Sequence, residues 1–176
     1  VRMAAAACSM ASSLSFICIK RLRRPVLSSS SVITASARTI TGTIAVYNKH
    51  STTQGVKLLP GCLTPRQPLN RVKLLRDHNL SDAVGYMTAY NADTLSCTFS
   101  VPEGPEGDEA LTKAANGLRD GMSIGFMVND YKFDPDYNLE VYAAELYEVS
   151  LCAVPDFQDA QIESVAVSYT HLRAHE

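Results

Sequence analysis

Apolar residues in this chain fall mainly at every second position, in short runs divided by turn residues, the period expected of strands with one buried face. Residues 39–47 (Thr-Ile-Thr-Gly-Thr-Ile-Ala-Val-Tyr) are β-branched and roughly alternating, and residues 55–59 form a second short run ended by Pro60-Gly61. Residues 71–76 lead into the polar triplet Asp77-His78-Asn79, where the apolar run stops. Residues 83–90 and 94–101 read as two further strands, and the Asn91-Ala92-Asp93 link between them implies an antiparallel hairpin. Residues 122–133 read as extended and residues 134–138 (Asp-Pro-Asp-Tyr-Asn) as a turn. Residues 139–154 form a long extended segment with a break near Ala144, ended by Pro155.

One stretch has a different period. In residues 108–119, Leu111, Ala114, Ala115 and Leu118 share one face at helical spacing, Asp108 stands near the N-cap, and Gly121 lies just past the end. Six or seven short strands with one or two helices predict a mainly β chain, a β-rich α+β class. Its antiparallel sheet is expected to close into a barrel or sandwich rather than alternate with helices.

The chain has 176 residues, 46% of them apolar, and a net charge of −2, which suits one domain with a real core. No apolar run approaches the roughly 20 residues of a membrane-spanning helix, so no membrane association is expected. The charge is unevenly placed: the first acidic residue is Asp77, and twelve of the 16 Lys and Arg precede it. That basic half lacks interleaved aromatics and any nucleic-acid motif. It reads as solvated surface or as attraction to an acidic protein, with no nucleic acid as partner. The five cysteines (Cys8, Cys18, Cys62, Cys97 and Cys152) form no C-x-x-C pair, and they are expected to be reduced and mostly buried, without metal.

Both ends are set apart from the domain. Residues 1–36 begin with Val1, are rich in Ala, Ser and Arg and contain no acid; a disordered or mis-called extension is the preferred reading over a transit-like peptide. Residues 167–176 (Val-Ser-Tyr-Thr-His-Leu-Arg-Ala-His-Glu) look like the translation of a sequencing adapter. His171 and His175 therefore drop out of the chemistry, and the natural C-terminus is expected to be missing.

Within the domain, Gly121-Met122-Ser123-Ile124-Gly125-Phe126 places one hydroxyl between glycines in an apolar run. Such a serine is either a packed strand residue or a nucleophile, and a nucleophile needs a neighbouring base. The Gly-x-Ser-x-Gly pattern also occurs in the nucleophile elbow of α/β-hydrolases, where a strand precedes the serine, a helix follows it, and the histidine comes last. Here a helix precedes Ser123, a strand follows, and no histidine follows outside the adapter-like tail, so that assignment fails. The base is then His78, where a strand gives way to a polar edge, or His50, in a loop of low apolar content. The third member is open among the acids. Glu145 and Glu148 stand out because they interrupt an apolar strand, and burying an unpaired carboxylate costs several kcal/mol or shifts its pKa. Three residues apart, the two face opposite sides unless a bulge intervenes.

Taken together, residues 72–79 (Val-Lys-Leu-Leu-Arg-Asp-His-Asn), residues 120–126 (Asp-Gly-Met-Ser-Ile-Gly-Phe) and residues 146–155 (Leu-Tyr-Glu-Val-Ser-Leu-Cys-Ala-Val-Pro) resemble the prohead serine proteases of tailed bacteriophages, the capsid maturation proteases. Pro60-Gly61-Cys62-Leu63 and residues 38–42 (Arg-Thr-Ile-Thr-Gly) resemble two earlier elements of that family, so the likeness covers residues 37–165. The family more often continues with a small residue after Val154-Pro155, where this chain has Asp156-Phe157.

The resemblance implies a closed antiparallel β-barrel of the herpesvirus-assemblin-like type. It assigns His78 as general base, Ser123 as nucleophile and Glu148 as third member, with no metal and no cofactor. The implied activity is a serine endopeptidase that processes scaffold or N-terminal segments of the major capsid protein, inside a viral procapsid assembled in the host cytoplasm. The assemblin-like analogy further implies a homodimer. The competing expectation is a catalytically inactive capsid-assembly or scaffolding protein with the same fold.

Overall fold

The computed structural model describes residues 37–167; the N-terminal extension and the adapter-like tail, with His171 and His175, lie outside these apart from Val167. The described residues form nine strands: β1 Thr39–Thr43, β2 Val56–Leu58, β3 Leu63–Pro65, β4 Lys73–Arg76, β5 Ala83–Asn91, β6 Ser96–Ser100, β7 Gly121–Phe133, β8 Leu139–Cys152 and β9 Ile162–Ala166. One helix, α1 Pro105–Ala115, precedes β7.

β8 is the spine of the sheet. Along one edge it pairs antiparallel with β7 over almost its whole length. Along the other it takes β2, β3 and β4 in succession, all parallel. From β4 the sheet continues through β5, β6, β1 and β9, each pair antiparallel. The expected hairpin of residues 83–101 is thus β5–β6. The three parallel pairings depart from the expected antiparallel sheet.

The sheet curls strongly into a half-barrel but does not close, which corrects the expected closed barrel. Among the described residues, β9 pairs only with β1, and β7 only with β8. Between them runs a backbone hydrogen bond from the Ile162 N–H to the Asp120 carbonyl at 3.4 Å, while β9 packs against α1.

The core follows the alternation that predicted the strands. Met122, Ile124, Phe126 and Val128 of β7 point inward. On β8 the inward residues are Val141, Ala144, Leu146, Val149 and Leu151, so the spacing is three, two, three, two. Each step of three is an extra residue, and the β7–β8 register shifts at the matching places, between Val128 and Tyr131 and between Gly125 and Phe126. The expected break near Ala144 is therefore a bulge in a continuous strand.

Two boundaries differ from expectation. Pro105, whose fixed φ suits a first helical turn, starts α1 ahead of Asp108, and Gly117, at φ +74°, ends it well before Gly121. Leu118 consequently leaves the helix and is 65% exposed, and the buried face is Gly107, Ala110, Leu111 and Ala114. Cys62 and Cys97 are buried free thiols as expected, whereas Cys152 is disulfide-bonded, against the expectation of five reduced cysteines. Asp156-Phe157, the departure from the family pattern, is built into the fold. Phe157 fills the core, and Asp156 accepts the Thr53 N–H on Oδ1 and the Thr52 N–H on its carbonyl.

Candidate active site

Ser123 and Gly125 point to the side of β7 opposite its core residues, and across the ladder their register partners are Ser150 and Glu148. Directly opposed residues of an antiparallel pair share a face. One patch of sheet thus presents a serine, a glycine, a second serine and a carboxyl group. The bulge at Tyr147 makes this possible, because it moves Glu148 and Ser150 off the face occupied by Leu146. The Arg66 guanidinium covers the bulged Tyr147, 4.1 Å from the ring centre.

The fourth group comes from the β4–β5 turn. β4 runs parallel to β8 with Leu75 opposite Ser150 and Arg76 opposite Leu151, and the Asp77 N–H extends the contact to the Leu151 carbonyl at 3.0 Å. The chain then reverses: the Asn79 N–H bonds the Arg76 carbonyl, and Asp77 and His78 both take positive φ, +44° and +59°, as the central residues of a type I′ turn do. Left-handed backbone at a non-glycine residue costs about 1–3 kcal/mol and persists where surrounding contacts fix it. Those contacts are an ion pair between Asp77 and Arg119, an ion pair between Arg76 and Glu109 of α1, and a hydrogen bond of 3.1 Å from the His78 N–H to Ser150 Oγ.

The turn lowers the imidazole onto the patch. His78 Nδ1 and Glu148 Oε1 are 2.6 Å apart, and Ser150 Oγ donates to Glu148 Oε2 at 2.8 Å. Gly125 leaves the room for this carboxylate, since a Cβ there would fall 3.0 Å from the Glu148 Cδ and closer still to Oε1. The patch is shut off from solvent: Ser123 and Ser150 are 0% exposed, His78 and Glu148 7%. The Ser123 hydroxyl makes no hydrogen bond among the described residues. Burial disfavours both charged forms of the pair, holding the His78 imidazole far below its ordinary range and pushing Glu148 up to about 8, the latter partly offset by the Ser150 hydrogen bond.

Of the residues expected from sequence, His78 and Glu148 are brought into direct contact, and Ser123 stands one strand away on the same face. His50 is elsewhere: its imidazole lies 4.0 Å from Asp134, at the β7–β8 turn far along β7 from Ser123. Glu145 shares the face of Glu148, because the bulge intervenes, but its register partner is Met127, further along β7. Ser150 was missed. Its position two residues after Glu148 on a strand was the available signal, as side chains at i and i+2 share a face. Among the described residues no group of His, Cys, Asp or Glu is arranged to hold a metal ion. A buried hydroxyl beside an imidazole–carboxylate pair is a set of groups able to relay a proton away from an attacking oxygen.

A family model described as caudovirus prohead serine protease matches residues 26–175 of the chain. No curated protein and no solved structure matches it.

Proposed function

Because the chain belongs to the caudovirus prohead serine protease family, we propose that it is a serine endopeptidase that processes scaffold or the N-terminal segments of a major capsid protein during phage head maturation. The observation that carries the reading is the 2.6 Å contact of His78 Nδ1 with Glu148 Oε1, on the sheet face that also holds Ser123.

In this mechanism Ser123 Oγ attacks the carbonyl carbon of the scissile peptide while its proton passes to His78 Nε2. The imidazolium formed is stabilised by Glu148 and returns the proton to the leaving amine. Water then hydrolyses the acyl-enzyme with the same base. The base-competent form carries its ring proton on Nδ1, donated to an ionised Glu148, with the Nε2 lone pair turned to the nucleophile. Enclosure within a shell raises the effective concentration of substrate, so modest turnover suffices. The procapsid of the host cell is the proposed setting, and a homodimer belongs to the same reading, to be checked by sedimentation equilibrium.

Co-expression with the cognate capsid protein tests the assignment. Wild type should shorten the capsid protein, and Ser123→Ala and His78→Ala should leave it intact, with loss of the triad costing up to about 10⁶-fold in kcat. Equal processing by all three would refute the protease and favour an assembly protein that keeps the fold without cutting.

A further inference from the structure

We propose that Ser150 is a positioning residue of this site: its hydroxyl ties the backbone of the histidine turn to the carboxylate that orients the imidazole, so that ring and carboxylate are held as one unit. The inference rests on the protease reading above and adds to it a fourth side chain.

The geometry is specific. The Ser150 hydroxyl accepts the His78 N–H at 3.1 Å and donates to Glu148 Oε2 at 2.8 Å, using one lone pair and its only proton. Glu148 in turn meets the ring of the same histidine at 2.6 Å. The three bonds close a loop that contains the backbone and side chain of His78, the carboxylate and the hydroxyl. Without the hydroxyl, the contact at Nδ1 would join ring and carboxylate but would not tie the backbone of the turn to that carboxylate. With it, the turn and the carboxylate cannot move separately.

The backbone explains why a side chain is needed. The parallel ladder between β4 and β8 continues to the Asp77 N–H, which finds the Leu151 carbonyl, but at His78 the chain has turned away and no ladder acceptor is in line. The Ser150 hydroxyl takes that acceptor's place. At a fully buried strand position an apolar side chain would be the ordinary choice, and a buried hydroxyl is costly unless hydrogen-bonded. Here it is bonded on both sides, and both partners belong to the proposed catalytic group. Ser123 is its direct register partner, so the tie lies beside the nucleophile.

The groups around the carboxylate leave Ser150 as its hydroxyl donor. Gly125 faces it from β7 without a side chain. Lys73 of β4, its register partner across the parallel ladder, places its ammonium on the Asn70 carbonyl at 2.6 Å. Asp77 of the turn is paired with Arg119. Ser150 draws the titration of Glu148 down against the upward pull of burial, so its removal should move the pair's titration to higher pH.

The test uses the full chain with Ser150→Ala and Ser150→Thr. In a Ser123→Ala background, which cannot cut itself, the imidazole of His78 is followed by NMR across pH. In the Ser123 background, kcat and KM are measured on a capsid-derived peptide across pH. Ser150→Ala should shift the His78 titration upward, carry the acid limb of kcat/KM with it, and lower kcat by about 10-fold or more with little change in KM, as expected for misplacement of a catalytic group. Ser150→Thr, which keeps the hydroxyl, should stay within about 3-fold of wild type. An unchanged titration and pH profile in Ser150→Ala, with Ser123→Ala inactive, would overturn the positioning role and leave the protease standing. Cleavage undiminished in Ser123→Ala would overturn both.

Discussion

Glu148 and His78 share a hydrogen bond where water does not reach, and burial pushes the two in opposite senses, the carboxyl up to about 8 and the imidazole far down. In the unfolded chain Glu148 would release its proton near 4.5 and His78 take one up below 6.5. Between those values the two differences cancel. From pH 6.5 to about 8 only Glu148 differs, the folded protein holding a proton that the unfolded chain has lost. Stability should therefore fall as pH rises across that window, by on the order of 2 kcal/mol, and fall again as pH drops below 4.5, where unfolded Glu148 takes up a proton in addition to the one already on unfolded His78. Activity should move the other way. Below about 8 the pair carries a proton that occupies Nε2 whichever partner is counted as its owner, so kcat/KM should rise up to that pH. Opposite slopes over one window, in melting temperature and in kcat/KM, are the expected signature, and Glu148→Gln should flatten the stability slope while abolishing most activity. Gly125→Ala tests the neighbouring contact: its methyl would displace the carboxylate, costing about 1–3 kcal/mol of stability but about 10²-fold or more in kcat, so activity should be lost in a protein that still melts cooperatively.

The helix shows how far pattern alone reaches. Spacing identified α1 and placed Leu111 and Ala114 correctly on its buried face, but it also carried the apolar stripe on to Leu118, past the point where Gly117 turns the chain. Substitutions at the two leucines should separate these readings: Leu111→Ala is expected to cost about 2–5 kcal/mol in chemical denaturation, Leu118→Ser less than about 0.5. Strands were legible where alternation was clean, as in β1, β6 and the first half of β7. β3 was missed because it is three residues long and ends in Pro65, and β9 because Ile162 alone among its residues is buried. On β8 the irregular core spacing was visible in the sequence, but its meaning needs the partner strand. A residue that breaks the period is a bulge only if the neighbouring ladder slips with it, as it does opposite Gly125 and Phe126. The same slip puts Glu145 and Glu148 on one face, so position along β8 rather than side decides which acid meets the imidazole, which is why sequence left the two as alternatives.

At the scale of the whole molecule, composition and periodicity specified a mainly β chain, but not the pairing of β8 with three parallel strands or the gap that leaves the sheet open. These are contacts between distant segments, and no local period encodes them. A second property of the whole is that its proposed nucleophile is shut away: Ser123 has no exposed surface. A fluorophosphonate probe should label it at a rate that levels off as probe concentration rises, because opening becomes the slow step; a rate that stays proportional to concentration would mean that the site stands open in solution. Long-range pairing also makes folding slow relative to a helical protein of this size, and stopped-flow refolding should show that rate falling further when the β7–β8 bulge is disturbed by deleting Tyr147.

β8 also acts as a clock. His78 leaves the ribosome 70 residues before Glu148, which at about 5–20 residues per second is an interval of several seconds. Throughout that delay β2, β3 and β4 have no spine to lie against, and the histidine has no carboxylate to meet. A chain stopped before Glu148 would therefore lack the proposed catalytic group, and the proposed activity would arrive only once β8 has been made.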